Sequence, residues 1–355
     1  MKIAVIGAGN GGQAFAGYFA SQGHKVNICE ARAEVVEKLR ALGEIRLEGR
    51  ITCSGKPKLV TDEVSKAIEG AELIMVTVTA NAHKILAKQM APYLEENQVV
   101  VLNPGRTGGA IEFKRVLEEN GFKKRIYLAE TQTLVFACRI VETGLVNIIG
   151  VKDKVLVSAY PSSDTEIVLK KLSQVFDCFF AAKNVLVTSF ENIGAVFHPC
   201  VVLFNEAAIE RGNQFYFYRE MTPGLARLIE TVDAERIAVA KAYGLDIISA
   251  SDWVSYAYKD IKGDNLCERM RNNPAYYEIL APTKIDCRQI TEDIPTGLVP
   301  FSEFGKAAGV PTPLIDATIT ICSELLQKDF RKEGRNLKNL GFEGLNVNEI
   351  LKQIN

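Results

Sequence analysis

In the first half of the chain, short apolar runs rich in β-branched residues alternate with amphipathic helical stretches, the pattern of a parallel sheet with crossover helices. Lys2–Ile6 leads into a helix at Gly11–Ser21, and His24–Glu30 leads into another at Ala33–Leu42. A small hairpin region is expected at Glu44–Val60. Glu72–Thr79, a helix at His83–Leu94, Gln98–Asn103, a helix at Ile111–Glu119 and Arg125–Ala129 continue the alternation. The runs Leu134–Val141, Val146–Val151 and Val155–Ala159 read as further strands of the same sheet, followed by a helix at Thr165–Phe176. The rhythm changes near Ala181–Thr188. Beyond it lie long helical patterns at Asn192–Arg211, Pro223–Tyr243, Ser302–Ala308 and Pro313–Phe330. Thr222 and Thr312 sit where N-caps belong, each followed by a proline at the first helical position, where the missing N–H costs nothing. The expectation is an α/β domain over residues 1–184 and an all-α domain over 185–355.

Composition fits that division. A length of 355 residues suggests two domains, and an apolar content of 47% supports buried cores. A formal net charge of −1 gives no sign of a nucleic-acid partner, so a small-molecule ligand is expected. Eight cysteines are spread without a C-x-x-C pair or a Cys/His cluster, which argues against a zinc site and against a disulfide framework. The expected compartment is the cytoplasm. The stretch Ile3–Gly23 carries no charge and superficially resembles an export signal, but its six glycines make it a poor apolar helix. No other stretch reads as long and apolar enough to span a bilayer.

The same stretch contains Gly7-Ala8-Gly9-Asn10-Gly11-Gly12 between a strand and a helix, the context in which G-x-G-x-x-G identifies a Rossmann-type dinucleotide-binding fold. Gly7 permits the tight turn, Gly9 lets the backbone approach a pyrophosphate, and Gly12 lets helix and strand pack closely. The phosphates would lie on helix-terminal N–H groups around Asn10 and Gly11. Glu30 ends the second strand, where an acid receives the adenosine ribose hydroxyls and disfavours a 2′-phosphate. This favours NAD, while Arg32 beside it leaves NADP open. Two later strand ends, at Thr79 and at Asn103-Pro104-Gly105, also face the ligand side of such a sheet.

Only three histidines are present. His24 precedes the second strand, on the rim away from the expected ligand, and His83 opens a helix; both read as structural. His198 is followed by Pro199 inside a helical pattern, which should kink the helix and push away the Ala195 carbonyl beside the imidazole. On spacing alone, a satisfied core histidine accounts for it equally well.

Beyond these features the chain resembles the opine dehydrogenases, the octopine/nopaline dehydrogenase family. The resemblance runs nearly end to end, through Ile6–Gly12, Leu102-Asn103-Pro104-Gly105 with Thr107-Gly108-Gly109, Phe136-Ala137-Cys138-Arg139, and Ala195-Val196-Phe197-His198-Pro199. It continues through Val232-Asp233-Ala234-Glu235-Arg236, Asn273-Pro274-Ala275-Tyr276, Glu292–Pro300 and Val310–Asp316. Members reductively condense an amino acid with a 2-oxo acid, using a reduced nicotinamide cofactor. The resemblance implies that His198 pairs with Asp293, that Arg288 holds a substrate carboxylate, and that Cys138 and Trp253 line the substrate pocket. It also suggests a homodimer and a neutral amino acid, with no metal.

The chemistry suits those residue types, because histidine gives and takes protons near neutral pH and a neighbouring carboxylate fixes its tautomer. The aromatic run Phe215-Tyr216-Phe217-Tyr218 could shape a side-chain pocket or pack a core. Two other readings share the plan: a simple 2-oxo-acid or 2-hydroxy-acid reductase, and a non-catalytic NAD-binding sensor.

Overall fold

The computed structural model describes residues 1–257 and 261–355. The chain separates into two compact units, Met1–Thr188 together with Ile354–Asn355, and Ser189–Gln353. The division lies beyond the expected 184/185 break because the helix Val185–Phe190 straddles it. The last two residues return to the first unit, where the Asn184 amide donates to Asn355 Oδ1 at 3.1 Å.

The strands of the first unit are β1 (Lys2–Ile6), β2 (Lys25–Cys29), β3 (Ile45–Gly49), β4 (Cys53–Gly55), β5 (Leu59–Thr61), β6 (Leu73–Val76), β7 (Val99–Leu102), β8 (Tyr127–Thr131), β9 (Phe136–Glu142), β10 (Leu145–Val151), β11 (Val155–Ala159) and β12 (Phe179–Ala181). Its helices are α1 (Asn10–Ser21), α2 (Ala33–Leu42), α3 (Val64–Ile68), α4 (His83–Met90), α5 (Gly109–Glu119) and α6 (Thr165–Leu172).

Eight strands form the main sheet in the order β12-β11-β8-β7-β6-β1-β2-β5. From β8 to β5 it is parallel, and β11 runs antiparallel to β8. The central strands Leu73–Val76 and Val99–Leu102 are buried at every position, as strands covered on both faces by helices must be. Strand order reverses between β1 and β6, and it is outside the carboxyl ends of strands at such a switch point that open α/β sheets take ligands.

The runs Phe136–Glu142 and Leu145–Val151 do not extend this sheet, contrary to the sequence expectation. They join the Ile45–Gly55 hairpin in a separate four-stranded sheet, β4-β3-β10-β9. The reason lies in α1, which packs against β3, β4 and β9. Its Gln13 Oε1 accepts the Gly144 N–H at 2.8 Å, and its Asn10 Oδ1 accepts the Ile140 N–H at 2.8 Å. Apolar periodicity marks these runs as strands and cannot say which sheet they join. The shared core gathers Phe15, Phe19, Val26, Ile28, Leu47, Phe136 and Ile148.

The second unit is helical over its described residues, apart from one isolated bridge between Tyr216 and Leu280. Following α7 (Val185–Phe190) are α8 (Gly194–Leu203), α9 (Glu206–Glu210), α10 (Pro223–Ala242), α11 (Ala250–Ala257), α12 (Leu266–Arg271), α13 (Arg288–Thr291), α14 (Val299–Ala308) and α15 (Pro313–Leu326). The single helix expected at 192–211 is two. The first, α8, runs through Pro199 and ends at Leu203, four residues past the proline, before α9 restarts at Glu206. Thr222 caps α10 by accepting the Leu225 N–H at 3.3 Å. Thr312 does not cap α15: its hydroxyl donates to Asp316 Oδ2 at 3.2 Å instead.

Stacked Phe190 and Phe301, with Tyr243 and Phe304, form the second unit's aromatic centre. Beside it, fully buried Arg236 pairs with Asp233 at 2.7 Å and donates to the carbonyls of Phe190 and Ile248. Such a cation is tolerable in a core only because every arm has an acceptor. The stretch Val185–Leu203 is long and apolar enough to cross a membrane by composition, which corrects the expectation that no stretch qualified. With 83% of it buried inside the protein, its apolarity serves core packing.

Candidate active site

The glycine-rich turn leaves β1 at the switch point and opens α1. Gly7 has φ +101°, a left-handed conformation that a side chain resists, and a Cβ on Gly12 would stand 1.7 Å from the Gly7 carbonyl oxygen. A Cβ on Gly9 would meet nothing within 4 Å. Two of the glycines are therefore required by the turn itself, and the third stands beside open space. The first turn of a helix leaves N–H groups without intrahelical acceptors, and α1 has no acidic side chain there to use them. The turn fits the diphosphate of a dinucleotide: free donors, the positive end of a helix dipole, and room.

Glu30 closes the turn from the end of β2. Its Oε2 accepts the Ala8 N–H at 2.8 Å, and Arg32 clamps both carboxylate oxygens through Nε at 3.0 Å and Nη2 at 3.1 Å. Burial alone would raise the Glu30 pKa, but the hydrogen bonds from Arg32 and Ala8 outweigh it and hold the carboxyl below its ordinary value. Arg32 is thus turned toward Glu30, its guanidinium half exposed.

The other expected cofactor positions are less open. The Thr79 hydroxyl donates to Asn81 Oδ1 at 2.6 Å on the surface. Asn103 is buried, its amide donating to the Val101 carbonyl at 2.8 Å. Pro104 is partly exposed, and Gly105 is buried with its N–H on the Thr131 carbonyl at 3.2 Å. Asn10 spends its side-chain oxygen on β9, and its donors, the side-chain and backbone N–H groups, are what could meet a phosphate.

In the second unit, α8 carries His198 and the segment after α13 carries Asp293. His198 Nδ1 and Asp293 Oδ2 lie 2.7 Å apart, with the carboxylate 2% exposed and the imidazole 15%. The approach depends on the π-helical turn Ile294–Leu298, which packs on α8. A Cβ on Gly297 would stand 2.4 Å from the Ala195 Cβ, so only glycine allows this contact. The other ring nitrogen, Nε2, lies 2.8 Å from the Tyr218 hydroxyl. Arg288 opens α13, which also packs on α8; its guanidinium is 54% exposed and 3.3 Å from buried Glu292.

A relative described as opine dehydrogenase, from Arthrobacter sp. (strain 1C), is 40% identical over 347 residues, covering 96% of this chain and 95% of its own. The chain belongs to the opine dehydrogenase family. It is an NAD-dependent oxidoreductase of that family. Residues 181–326 match the family described as NAD/NADP octopine/nopaline dehydrogenase, alpha-helical domain, and residues 2–113 match the NAD-dependent glycerol-3-phosphate dehydrogenase N-terminus. An octopine dehydrogenase from Mizuhopecten yessoensis is 28% identical, covering 94% of this chain and 92% of its own. A solved octopine dehydrogenase with NADH and L-arginine superposes with a TM-score of 0.81 at 25% identity, over 99% of this chain and 98% of that one.

Against this opine dehydrogenase plan, the sequence-predicted residues divide. His198 and Asp293 come together although 95 positions separate them. Cys138 lies on β9 within the first unit's hydrophobic cluster, and burial pushes its thiol up to about 11, the surroundings of a packing residue. Trp253 lies half-buried on α11. His83 is buried edge-on against Phe113, and His24 lies edge-on to Phe19, as structural histidines do. Tyr218 is the residue that sequence reasoning placed in an aromatic run shaping a pocket or packing a core, with no part in the acid–base chemistry. An aromatic run shows where rings lie, but not which hydroxyl meets a histidine nitrogen 20 residues earlier.

Proposed function

We propose that the protein catalyses the NADH-dependent reductive condensation of a neutral L-amino acid with a small 2-oxo acid such as pyruvate, with His198 as its acid–base residue and Asp293 as the group that holds it. The observation that carries this reading is the 2.7 Å His198–Asp293 pair on facing segments of the helical unit. A carboxylate can only accept, so Asp293 holds the proton on Nδ1 and leaves Nε2 as the nitrogen that exchanges protons. It also stabilises the imidazolium when that forms.

When bound, the reduced nicotinamide supplies the hydride that reduces the imine carbon. Gly9, the α1 N–H groups around Asn10 to Gly12, and Glu30 would hold the dinucleotide. Glu30 favours NAD, because a carboxylate at the adenosine ribose repels a 2′-phosphate and the neighbouring Arg32 is already clamped to it. His198 would protonate the departing hydroxyl of the carbinolamine, and in the reverse direction take a proton from the water that adds to the imine. The fork of Arg288 matches a substrate carboxylate, which would place the imine carbon.

Room for the amino-acid side chain is offered by a cavity of about 300 Å3 beside α8, whose lining mixes apolar Val201, Phe215, Phe217 and Leu225 with polar Asn205, Asn213, Glu220 and Thr222. Phe217 joins this cavity to the acid–base pair, since its ring is edge-on to the imidazole with centroids 6.0 Å apart. A side chain placed there gains about 25 cal/mol for each Å2 of apolar surface removed from water.

The reading is tested by NADH oxidation with amino acids crossed against pyruvate, glyoxylate and 2-oxoglutarate. Consumption is expected only when amine and 2-oxo acid are both present; consumption without an amine would identify a simple 2-oxo-acid reductase. His198→Ala should lower kcat by about 10² to 10⁴ while NADH still binds. A full rate in that variant overturns the assignment.

A further inference from the structure

Both nitrogens of the His198 ring are occupied. Nδ1 faces Asp293 Oδ2 at 2.7 Å, and Nε2 faces the Tyr218 hydroxyl at 2.8 Å. In the neutral ring Nε2 is an acceptor, to which Tyr218 donates. In the imidazolium Nε2–H donates and the phenol oxygen accepts. A phenol serves both states without moving. The nitrogen that must exchange protons with substrate is therefore in contact with a hydroxyl that the protein supplies.

The hydroxyl is held in place from two sides. The Tyr218 ring is buried, stacked on Tyr276 with centroids 4.5 Å apart and planes at 26°, and edge-on to Phe217 at 4.8 Å. Its backbone segment is tied to the segment after Tyr276: the Phe217 N–H donates to the Ile279 carbonyl at 2.8 Å, the Ala281 N–H to the Phe215 carbonyl at 2.9 Å, and Tyr216 bridges Leu280. Asn273 Oδ1 in turn accepts the Ala275 N–H at 3.0 Å and sets the turn that presents Tyr276. Rings packed this way lose little further freedom on meeting a ligand, which is what a fixed proton path needs.

We propose that Tyr218 is the outer member of an Asp293–His198–Tyr218 chain and the group through which His198 passes its proton to the reacting adduct. The inference rests on the amine-condensing reading given above. During dehydration the phenol O–H proton moves to the carbinolamine hydroxyl, the C–O bond breaks to release water, and the nitrogen lone pair forms the C=N bond. The phenol oxygen then takes the proton from Nε2. Imidazolium ends as neutral imidazole, the iminium carries the positive charge, and tyrosine is unchanged.

Tyr218→Phe keeps the ring and its stack and removes only the oxygen. In that variant kcat should fall by about 10- to 100-fold, with KM for either substrate changed by less than about threefold and thermal stability retained. The solvent deuterium effect on kcat should depend on deuterium fraction along a curve in the wild type, where two protons move, and along a straight line in the variant. Nitrogen NMR gives a readout without turnover, because the chain has three histidines: the Nε2 signal of His198 should shift in Tyr218→Phe while its Nδ1 signal barely moves. Wild-type kcat with an unchanged deuterium curve overturns the relay, and so does a defect confined to KM. Failure of the functional reading is told apart on the wild type, which would then consume NADH without an amine.

Discussion

Two glycine-rich turns leave parallel strands of one sheet and each opens a helix, but their helix termini are used differently. Gly7–Gly12 follows β1 and opens α1, whose first turn holds no acid and where a Cβ on Gly9 would meet only open space. Asn103–Gly109 follows β7 and opens α5. There Glu130, wholly buried on β8, accepts the Ala110 N–H at 2.8 Å and the Thr188 hydroxyl at 2.7 Å. A helix N-terminus attracts an anion in either case. At α5 the protein supplies its own, and at α1 the place is left for a ligand. The glycine spacings differ, G-x-G-x-x-G against G-x-x-G-G, and so does the N–H taken by a glutamate of the neighbouring strand: that of Ala8, before α1, and that of Ala110, inside the first turn of α5.

The largest effect expected from this comparison is at the open turn. Gly12→Ala places a Cβ 1.7 Å from the Gly7 carbonyl oxygen, which is backbone and cannot give way. NADH binding, followed by fluorescence titration, should weaken by more than about 100-fold as the turn is forced apart. Gly105→Ala is the matching change at the closed turn, with a Cβ 2.4 Å from Glu130 Oε2. That variant should lose stability first, and any loss of NADH affinity should track unfolding. Equal affinity losses in both variants, each still folded, would mean that both turns hold the cofactor.

The same contrast marks what the sequence could reveal. The fold of the first unit was legible because strand and helix periods alternate and because G-x-G-x-x-G between Ile6 and Gln13 has a physical reason at each glycine. Pairing across distance was not legible. Leu145–Val151 reads as a strand, yet its sheet is decided by Asn10 and Gln13 on α1, which hold Ile140 and Gly144. Within the site, His198 stood out through the scarcity of histidines and the proline beside it. Asp293 was reached only through family resemblance, since an acid before Ile-Pro reads as a turn residue. Tyr218 was masked by its own aromatic neighbours, because a run of four rings is explained by packing before any hydroxyl is considered.

An intermediate effect is expected from Glu130→Ala, which empties the closed turn. It leaves the Ala110 N–H without this acceptor in a fully buried place, while the Thr188 hydroxyl keeps the Val185 carbonyl at 2.9 Å. An unsatisfied buried polar group costs about 1–3 kcal/mol, so a loss of about that size in urea unfolding is expected. NADH affinity of the folded fraction should change little. A variant of wild-type stability with impaired NADH binding would break the comparison, because Glu130 would then be a ligand-side acid like Glu30.

The smallest effect is read at Glu30 through pH. Glu30 is held below the ordinary carboxylate pKa by its hydrogen bonds with Arg32 and Ala8, despite its burial. As pH falls, the unfolded chain therefore takes up its proton first. The stabilisation due to Glu30 is complete above the unfolded value of about 4.3 and drains away as pH drops through the lower folded value. Glu30→Gln keeps the shape and removes the charge. The stability gap between wild type and Glu30→Gln should therefore be constant above about pH 5 and narrow toward lower pH. A gap that widened in acid would show that the native protein holds Glu30 protonated. The same variant releases Arg32 from its partner, so NADPH should gain on NADH by about tenfold, the worth of about 1.4 kcal/mol. An unchanged preference would mean that neither the charge of Glu30 nor its hold on Arg32 decides between the two cofactors.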